Sequence, residues 1–306
     1  MRISRREFIT RGFSLGVATA LVGTGAIGSD TTENLELIEV NIPLTGLPPD
    51  LDGYRIGFLT DIHLGVAVST DYIADAISSV LGAQIDLLLF GGDYLWIAES
   101  PVGRLLQPER SPEFARIPTD KRRAEAIFQT LARMVPYRPP NDGIFWVFGN
   151  HDRWIHPTMC AASWATTSAR CLLNEQVEIR RGTSSLLLVG VDDYLTGVPH
   201  IPPLRRDRPG PTVLLTHNPD HAADLSAHGR LSSFDLVLCG HTHGGQIRLP
   251  LLGAPLYNVR HRRFGSGLLS ENGTWVYTSR GLGVVEFPYR IACRPEATIV
   301  TLNKTS

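Results

Sequence analysis

Five short clusters in this 306-residue chain carry side chains able to do metal chemistry: Asp61-x-His63, Gly92-Asp93, Gly149-Asn150-His151-Asp152, His217 and Gly240-His241-Thr242-His243. Their donors are carboxylates, imidazoles and one amide carbonyl, with no thiolate among them. That mixture suits Mn, Fe or Zn. Asp61 and His63 lie two apart, as do His241 and His243, and extended backbone would project each pair to one side. The adjoining glycines let backbone pass close to a metal or a phosphate and permit unusual turns. Taken singly, an Asp-x-His or a His after a strand is most often a cap or a surface residue. Five such clusters in one order point to a site.

Each cluster follows an apolar run. Tyr54–Thr60 leads into Asp61, Asp86–Phe90 into Gly91-Gly92-Asp93, Gly143–Phe148 into Gly149, Thr212–Thr216 into His217, and Phe234–Cys239 into Gly240. Continuous apolar runs of this length predict strands buried on both faces. Leu186–Val191 is a further strand, Trp275–Thr278 and Ala297–Leu302 close the set, and residues 35–42 are an edge strand ended by Pro43, Pro48 and Pro49. Thr70 is expected to cap a helix with Ile73, Ile77, Val80 and Leu81 on one face. Thr119 or Asp120 caps a second, with Ala124, Ile127, Phe128, Leu131 and Val135 inward. Residues 97–118 read as an insertion or lid, and 195–211 as a Pro-rich loop. In α/β sheets ligand sites collect beyond the carboxyl ends of the strands, so the five clusters are expected to converge.

Composition removes other classes. With 43% hydrophobic and 19% charged residues the chain is too apolar to be disordered. A net charge of −1, from 29 basic and 30 acidic residues, gives no basic field for nucleic acid. Four Cys without a C-x-x-C pair argue against a zinc ribbon, an iron–sulfur protein or a thioredoxin-like centre. Cys160 and Cys171 are a candidate disulfide in an oxidising compartment, and Cys239 a buried thiol. His156, His200, His221, His228 and His261 read as surface or helix-end residues, with His221, close behind THNPD, the first candidate for an exception.

Residues 1–28 read as an address. Arg2, Arg5, Arg6 and Arg11 precede an uncharged stretch from Gly12 to Gly28. The order is that of a secretory signal, and Ser4-Arg5-Arg6-Glu7-Phe8-Ile9 resembles the twin-arginine export signal. Ala26-Ile27-Gly28 offers a cleavage site; uncleaved, the segment is an N-terminal membrane anchor. Residues 29–306 then form one domain, with a net charge of −4 once four arginines and one glutamate are removed. The expected location is periplasmic or extracytoplasmic, or the outer face of the cytoplasmic membrane, with the twin-arginine machinery as a partner.

The ordered set D-x-H, G-D, G-N-H-D, H and G-H-x-H resembles the calcineurin-like metallophosphoesterase superfamily. The strings DIHLG, GGDY, THNPD, GHTHGGQIRLP, SRGLG and CRPE are similar to a bacterial branch of exported or membrane-associated phosphodiesterases, related to enzymes that split UDP-2,3-diacylglucosamine in lipid A synthesis. The resemblance covers about residues 52–303. It implies a four-layer α/β/β/α sandwich of two mixed sheets flanked by helices, with a dinuclear metal site at the strand ends. It assigns Asp61, His63 and His243 to the first metal, Asn150, His217 and His241 to the second, and Asp93 to both. His151 would stand beside the scissile phosphate.

The implied cofactor is two divalent ions, Mn or Fe ahead of Zn. The implied reaction is in-line attack of a metal-bridging hydroxide on phosphorus, with His151 helping the leaving oxygen. Tyr94 and Gln246 are candidate substrate contacts. The substrate would be a phosphoester, with lipid- and envelope-derived esters among the candidates, and most simply a phosphodiester. Hydrolysis of the UDP-2,3-diacylglucosamine pyrophosphate bond is an alternative, and a metal-binding protein with lost catalysis is another. The support for the last is one departure: Trp96 stands where the family places a carboxylate that orients the catalytic His. Asp152 and Glu99 are the candidate replacements.

Overall fold

A computed structural model describes residues 32–97, 110–205, 207–249, 251–255 and 257–305. The address segment 1–28, most of the expected lid and Glu99 lie outside the described residues. Two six-stranded sheets form the middle of the molecule. The first contains β1 (Glu36–Thr45), β2 (Tyr54–Leu59), β3 (Leu87–Phe90), β4 (Ile144–Trp146), β5 (Arg170–Cys171) and β12 (Glu296–Thr305), in the order β1-β12-β2-β3-β4-β5. The second contains β6 (Glu175–Arg181), β7 (Ser184–Gly190), β8 (Thr212–Leu215), β9 (Leu236–Cys239), β10 (Gly267–Glu271) and β11 (Thr274–Thr278), in the order β10-β11-β9-β8-β7-β6. Both are mixed: β2, β3 and β4 are parallel and β12 antiparallel to β2, while β7, β8 and β9 are parallel between antiparallel outer pairs.

The apolar runs explain the layering. Alternate side chains of β2 separate into two cores: Ile56 and Phe58 join Leu186, Leu188, Val213, Leu236 and Leu238 between the sheets. Leu59, Leu88 and Phe90 face outward, into the helices α1 (Thr70–Gly82), α2 (Pro112–Ala115), α3 (Asp120–Met134) and α5 (Pro157–Trp164). A third core lies between the second sheet and α6 (Pro219–Ala227). The order of layers is helix, sheet, sheet, helix, as expected. Among the described residues no helix is long and apolar enough to cross a membrane.

Local details depart from expectation where chemistry decides them. The α1 cap is Ser69, not Thr70: its hydroxyl accepts from the Tyr72 amide at 3.2 Å. Thr119 caps α3 by the same means, through the Arg122 amide. Strand β1 runs through Pro43 to Thr45, because an edge strand can leave the missing N–H on its solvent side. All four cysteines are free, so Cys160 and Cys171 do not pair.

Candidate metal centre

Every parallel strand at the centre of the two sheets delivers a polar residue at its carboxyl end. Asp61 and His63 follow β2, Asp93 follows β3, and Asn150 and His151 open α4 (Asn150–Ile155) after β4. His217 follows β8, and His241 and His243 follow β9. The loops are tied to one another across the two sheets. The Asp61 and His63 amides donate to the carbonyls of Gly92 and Asp93 at 3.0 Å. The His241 amide reaches the Asp61 carboxylate at 2.9 Å, and the His151 amide reaches Asp93 Oδ1 at 2.9 Å.

Strand alternation is not what aims these side chains. Asp61, His63, Asp93, His241 and His243 all have left-handed backbone, with φ of 50°, 45°, 56°, 71° and 54°. Such conformations cost non-glycine residues about 1–2 kcal/mol each and persist only where surroundings enforce them. His241 and His243 consequently separate, one into each of two groups. Asp61, His63 and His243 form the first, and Asp93, His217 and His241 the second. In each the ligating atoms lie within 4.8 Å of one another, and all six residues are buried. Asp93 faces both groups, its Oδ2 being 3.1 Å from His217 Nε2 and 3.5 Å from His63 Nε2.

Backbone carbonyls orient the imidazole rings. His63 Nδ1 lies 3.2 Å from Leu95 O and His217 Nδ1 2.8 Å from Gly91 O; a carbonyl only accepts, so both nitrogens carry protons, and neutral His63 keeps its lone pair on Nε2. His243 Nδ1 lies 3.3 Å from both Gly283 O and the Arg290 guanidinium, and His241 Nε2 lies 3.0 Å from Asn258 O and 3.4 Å from its side-chain amide nitrogen, so these two rings are positioned without a single tautomer being imposed. His63 Nε2 and His243 Nε2 face each other at 3.1 Å. Asn150 Oδ1, His217 Nε2 and His241 Nδ1 are buried without a hydrogen-bond partner. Buried lone pairs that converge without donors are what a cation satisfies, and imidazoles held by a carbonyl on the far nitrogen are typical of metal ligands. The residues present fit two divalent ions.

Electrostatics separate the four imidazoles. Burial lowers the pKa of His63 to about 3 and of His241 to about 4, and drives His243 well down, so all three are neutral near pH 7. Burial pushes the Asp61 carboxyl up to about 6. For Asp93 the opposing pull of His217 and other imidazoles outweighs burial, and its carboxyl lies well below the usual range. His217 shows the converse: burial lowers it, Asp93 more than compensates, and it rises to about 10, so its Nε2 holds a proton 3.1 Å from Asp93 Oδ2, which a bound cation would have to displace.

The remaining sequence candidates have mixed placements. His151 lies at the site, its ring centroid 5.1 Å from that of His63. Tyr94 faces the core: its hydroxyl donates to Val147 O at 2.7 Å, and its ring packs on Phe90, Trp146 and Trp164. Gln246 turns its amide to the backbone of Val285 and Phe287. Neither side chain is directed at a substrate. Asp152 does not reach the His151 ring either. Its carboxylate is buried and accepts the amides of Asp93, Tyr94 and Gly149. Burial and Asp93 push its pKa up to about 8 while those amides pull it back.

Arg290 was not singled out by sequence. It is fully buried and donates to Gly283 O and Arg280 O, both at 2.7 Å, bracing the carbonyl that orients His243. It lies just before the CRPE string, in FPYRIA, a stretch with no recognisable signal of its own. His221 is buried and stacks on Tyr194, rather than standing on the surface.

Residues 54–245 match the calcineurin-like phosphoesterase family. The chain belongs to that family. It is 31% identical over 252 residues to phosphodiesterase YaeI of Escherichia coli, covering 81% of this chain and 82% of that protein. It is 26% identical over 315 residues to the uncharacterized metallophosphoesterase YkuE of Bacillus subtilis, covering 100% and 99%. It is also 29% identical over 287 residues to a zebrafish (Danio rerio) transmembrane protein with a metallophosphoesterase domain, covering 88% of this chain and 57% of that protein. The protein is therefore a metallophosphoesterase, a hydrolase of phosphoesters.

Proposed function

We propose that this phosphoesterase is a phosphodiesterase with two divalent ions, Mn or Fe ahead of Zn. Asp61, His63 and His243 would hold one ion, Asn150, His217 and His241 the other, and Asp93 both. The observation that carries the reading is the position of Asp93, whose one carboxylate oxygen lies within 3.5 Å of an imidazole from each group. When bound, two such ions would neutralise phosphoryl oxygens and supply an activated water. The chain's own residues do the rest. The His151 ring stands at the rim, and its main-chain amide is pinned to Asp93. There it can pass a proton to the leaving oxygen. The similarity to phosphodiesterase YaeI supports diesters over monoesters.

The same proposal takes the protein outward by the twin-arginine route, to the periplasm or the outer face of the cytoplasmic membrane. Its support is the Arg5-Arg6 motif and the apolar stretch behind it. An outward address disfavours UDP-2,3-diacylglucosamine, which is made inside the cell.

Hydrolysis of bis(p-nitrophenyl) phosphate with added Mn²⁺, with elemental analysis of the same sample, tests the catalytic reading. Two ions per chain and diester turnover are expected, and Asp93→Asn should lower both together. Two ions retained in Asp93→Asn would remove the bridging role. Replacing Arg5 and Arg6 with Lys should leave precursor in the cytoplasm; normal export would end the twin-arginine reading.

A further inference from the structure

Leu251 is the most exposed of the large apolar residues described, at 107% of full accessibility, and Leu252, at 78%, follows it with only Tyr137 between them. They sit at the tip of a tight hairpin. Leu249 and Gly253 exchange both main-chain hydrogen bonds, N to O at 2.8 and 3.0 Å, closing its base. Leu251 has φ of 64°, a left-handed conformation that leucine adopts at a cost, here at an exposed position with no packing to reward it.

The loop itself is basic, while the carboxylate packed under it, Asp220, is buried and turned inward to accept the Arg260 and His261 amides. Residues 247–270 contain four arginines, Arg248, Arg260, Arg262 and Arg263, and no acidic residue. Arg260, Arg262 and Arg263 are exposed, and Arg262 braces the hairpin by donating to Ala254 O at 2.6 Å with its guanidinium over the Tyr257 ring. Arg263 pairs with Glu271, whereas the Arg260 side chain extends to solvent. A protruding leucine pair rimmed by cations and a half-buried tyrosine matches the interface of an anionic bilayer, with apolar tip below and guanidinium groups among the headgroups.

The hairpin is coupled to the metal centre and to the chain's beginning. Asn258 O, in the same loop, orients His241. Ile247 and Arg248 pair with Ile291, and the neighbouring Arg290 amide donates to Thr32, the first described residue. The described chain therefore begins beside the residues that pair with the base of the hairpin.

We infer that the 249–263 loop is a membrane-docking element that seats Leu251 and Leu252 in the interface of an anionic lipid surface, beside the metal centre. This stands whether or not the diester reading holds, because its test reads binding alone.

The probe is the full chain carrying Leu252→Trp, mixed with phosphatidylglycerol vesicles whose acyl chains are brominated, with the unsubstituted chain as the reference for the native tryptophans. The expected result is a blue shift and quenching beyond that reference, weaker on phosphatidylcholine vesicles. Adding Arg260→Gln should raise the lipid concentration for half-maximal quenching about fivefold. No extra quenching, even where the chain co-sediments with the vesicles, would mean that the N-terminal segment alone holds the membrane and would overturn the inference. Equal quenching on neutral and anionic vesicles would overturn the anionic-surface part. If the substitution lowers the unfolding midpoint, Leu251→Trp provides the same reading at the fully exposed neighbour.

Discussion

Trp96 stands edge-on against the ring of His151, with centroids 4.9 Å apart and planes at 71°, and His151 Nδ1 is buried with no hydrogen-bond partner among the described residues. An indole is a donor only and offers a ring edge, so it packs the imidazole without fixing which nitrogen carries the proton. An acceptor at that place would set tautomer and orientation together. Trp96→Asp should therefore raise turnover of an alkyl phosphodiester more than that of a nitrophenyl diester, whose leaving group needs no proton. General acid help is worth about 10²–10⁴-fold in full, so a gain of a few-fold is a fraction of it. The same substitution removes a nearly buried indole and should lower stability by about 3–5 kcal/mol. Equal effects on both esters, with metals retained, would show that Trp96 serves packing alone.

Tyr94 follows the ligand Asp93 directly, yet its hydroxyl is spent on Val147 O and Phe90 O inside the core. Tyr94→Phe leaves Val147 O without that donor, while Phe90 O keeps the Val147 amide. A loss of about 1–2 kcal/mol in denaturant unfolding is expected, with KM unchanged. A raised KM at unchanged stability would return Tyr94 to the substrate.

The contrast between Asp93 and Tyr94 shows what the chain reveals as text. Strands buried on both faces read as continuous apolar runs, as in Leu87–Phe90, and the polar residue ending each run marks where the sheet edge gathers chemistry. The ligand types and their convergence were legible for that reason. The strand Glu175–Arg181 was not, since a strand flanked on one side only carries exposed charges and lacks the apolar run. Strand Gly267–Glu271 escaped notice for the same reason. Side-chain direction was least legible. The left-handed residues at 61, 63, 93, 241 and 243 are imposed by loops meeting across two sheets, so a period-two argument paired His241 with His243 although they serve different groups. Carbonyls such as Gly283 O, and the buried Arg290 behind it, have no side-chain signature at all.

Gly240 gives a second test of how closely the centre is packed. A Cβ there would collide with the Asp61 carboxylate and with the side chain of Thr60, whose hydroxyl holds Asp61 Oδ2 at 2.9 Å. The backbone is not left-handed at this position, so the requirement is for space alone. Gly240→Ala should displace Asp61 and weaken metal binding by about 10–100-fold, as loss of a supporting contact typically does. The stability cost should be about 1–3 kcal/mol. Metal titration at equal fold content, judged by circular dichroism, measures it; unchanged affinity would mean that Asp61 can shift without leaving its ligand position.

Asp152 binds no imidazole, but it ties two strand-end segments together. Its Oδ2 accepts the Asp93 amide at 2.8 Å and the Gly149 amide at 2.9 Å, and its Oδ1 accepts the Tyr94 amide at 2.8 Å. Two of these amides flank the Asp93 side chain that faces both metal groups. Asp152→Ala would leave three buried amides without acceptors, at a cost of about 3–5 kcal/mol for the three unsatisfied donors together. Asp152→Asn retains one carbonyl oxygen and turns an NH₂ toward amides that also donate, so it should recover only part of that loss. The order of stability expected from urea unfolding is wild type, then Asn, then Ala. The left-handed turn at Asp93 should loosen with it, so bound metal should fall in the same order. An alanine variant that unfolds at the wild-type midpoint and keeps two ions would show that the 92–94 turn is held by the sheets themselves and that Asp152 is dispensable to the centre.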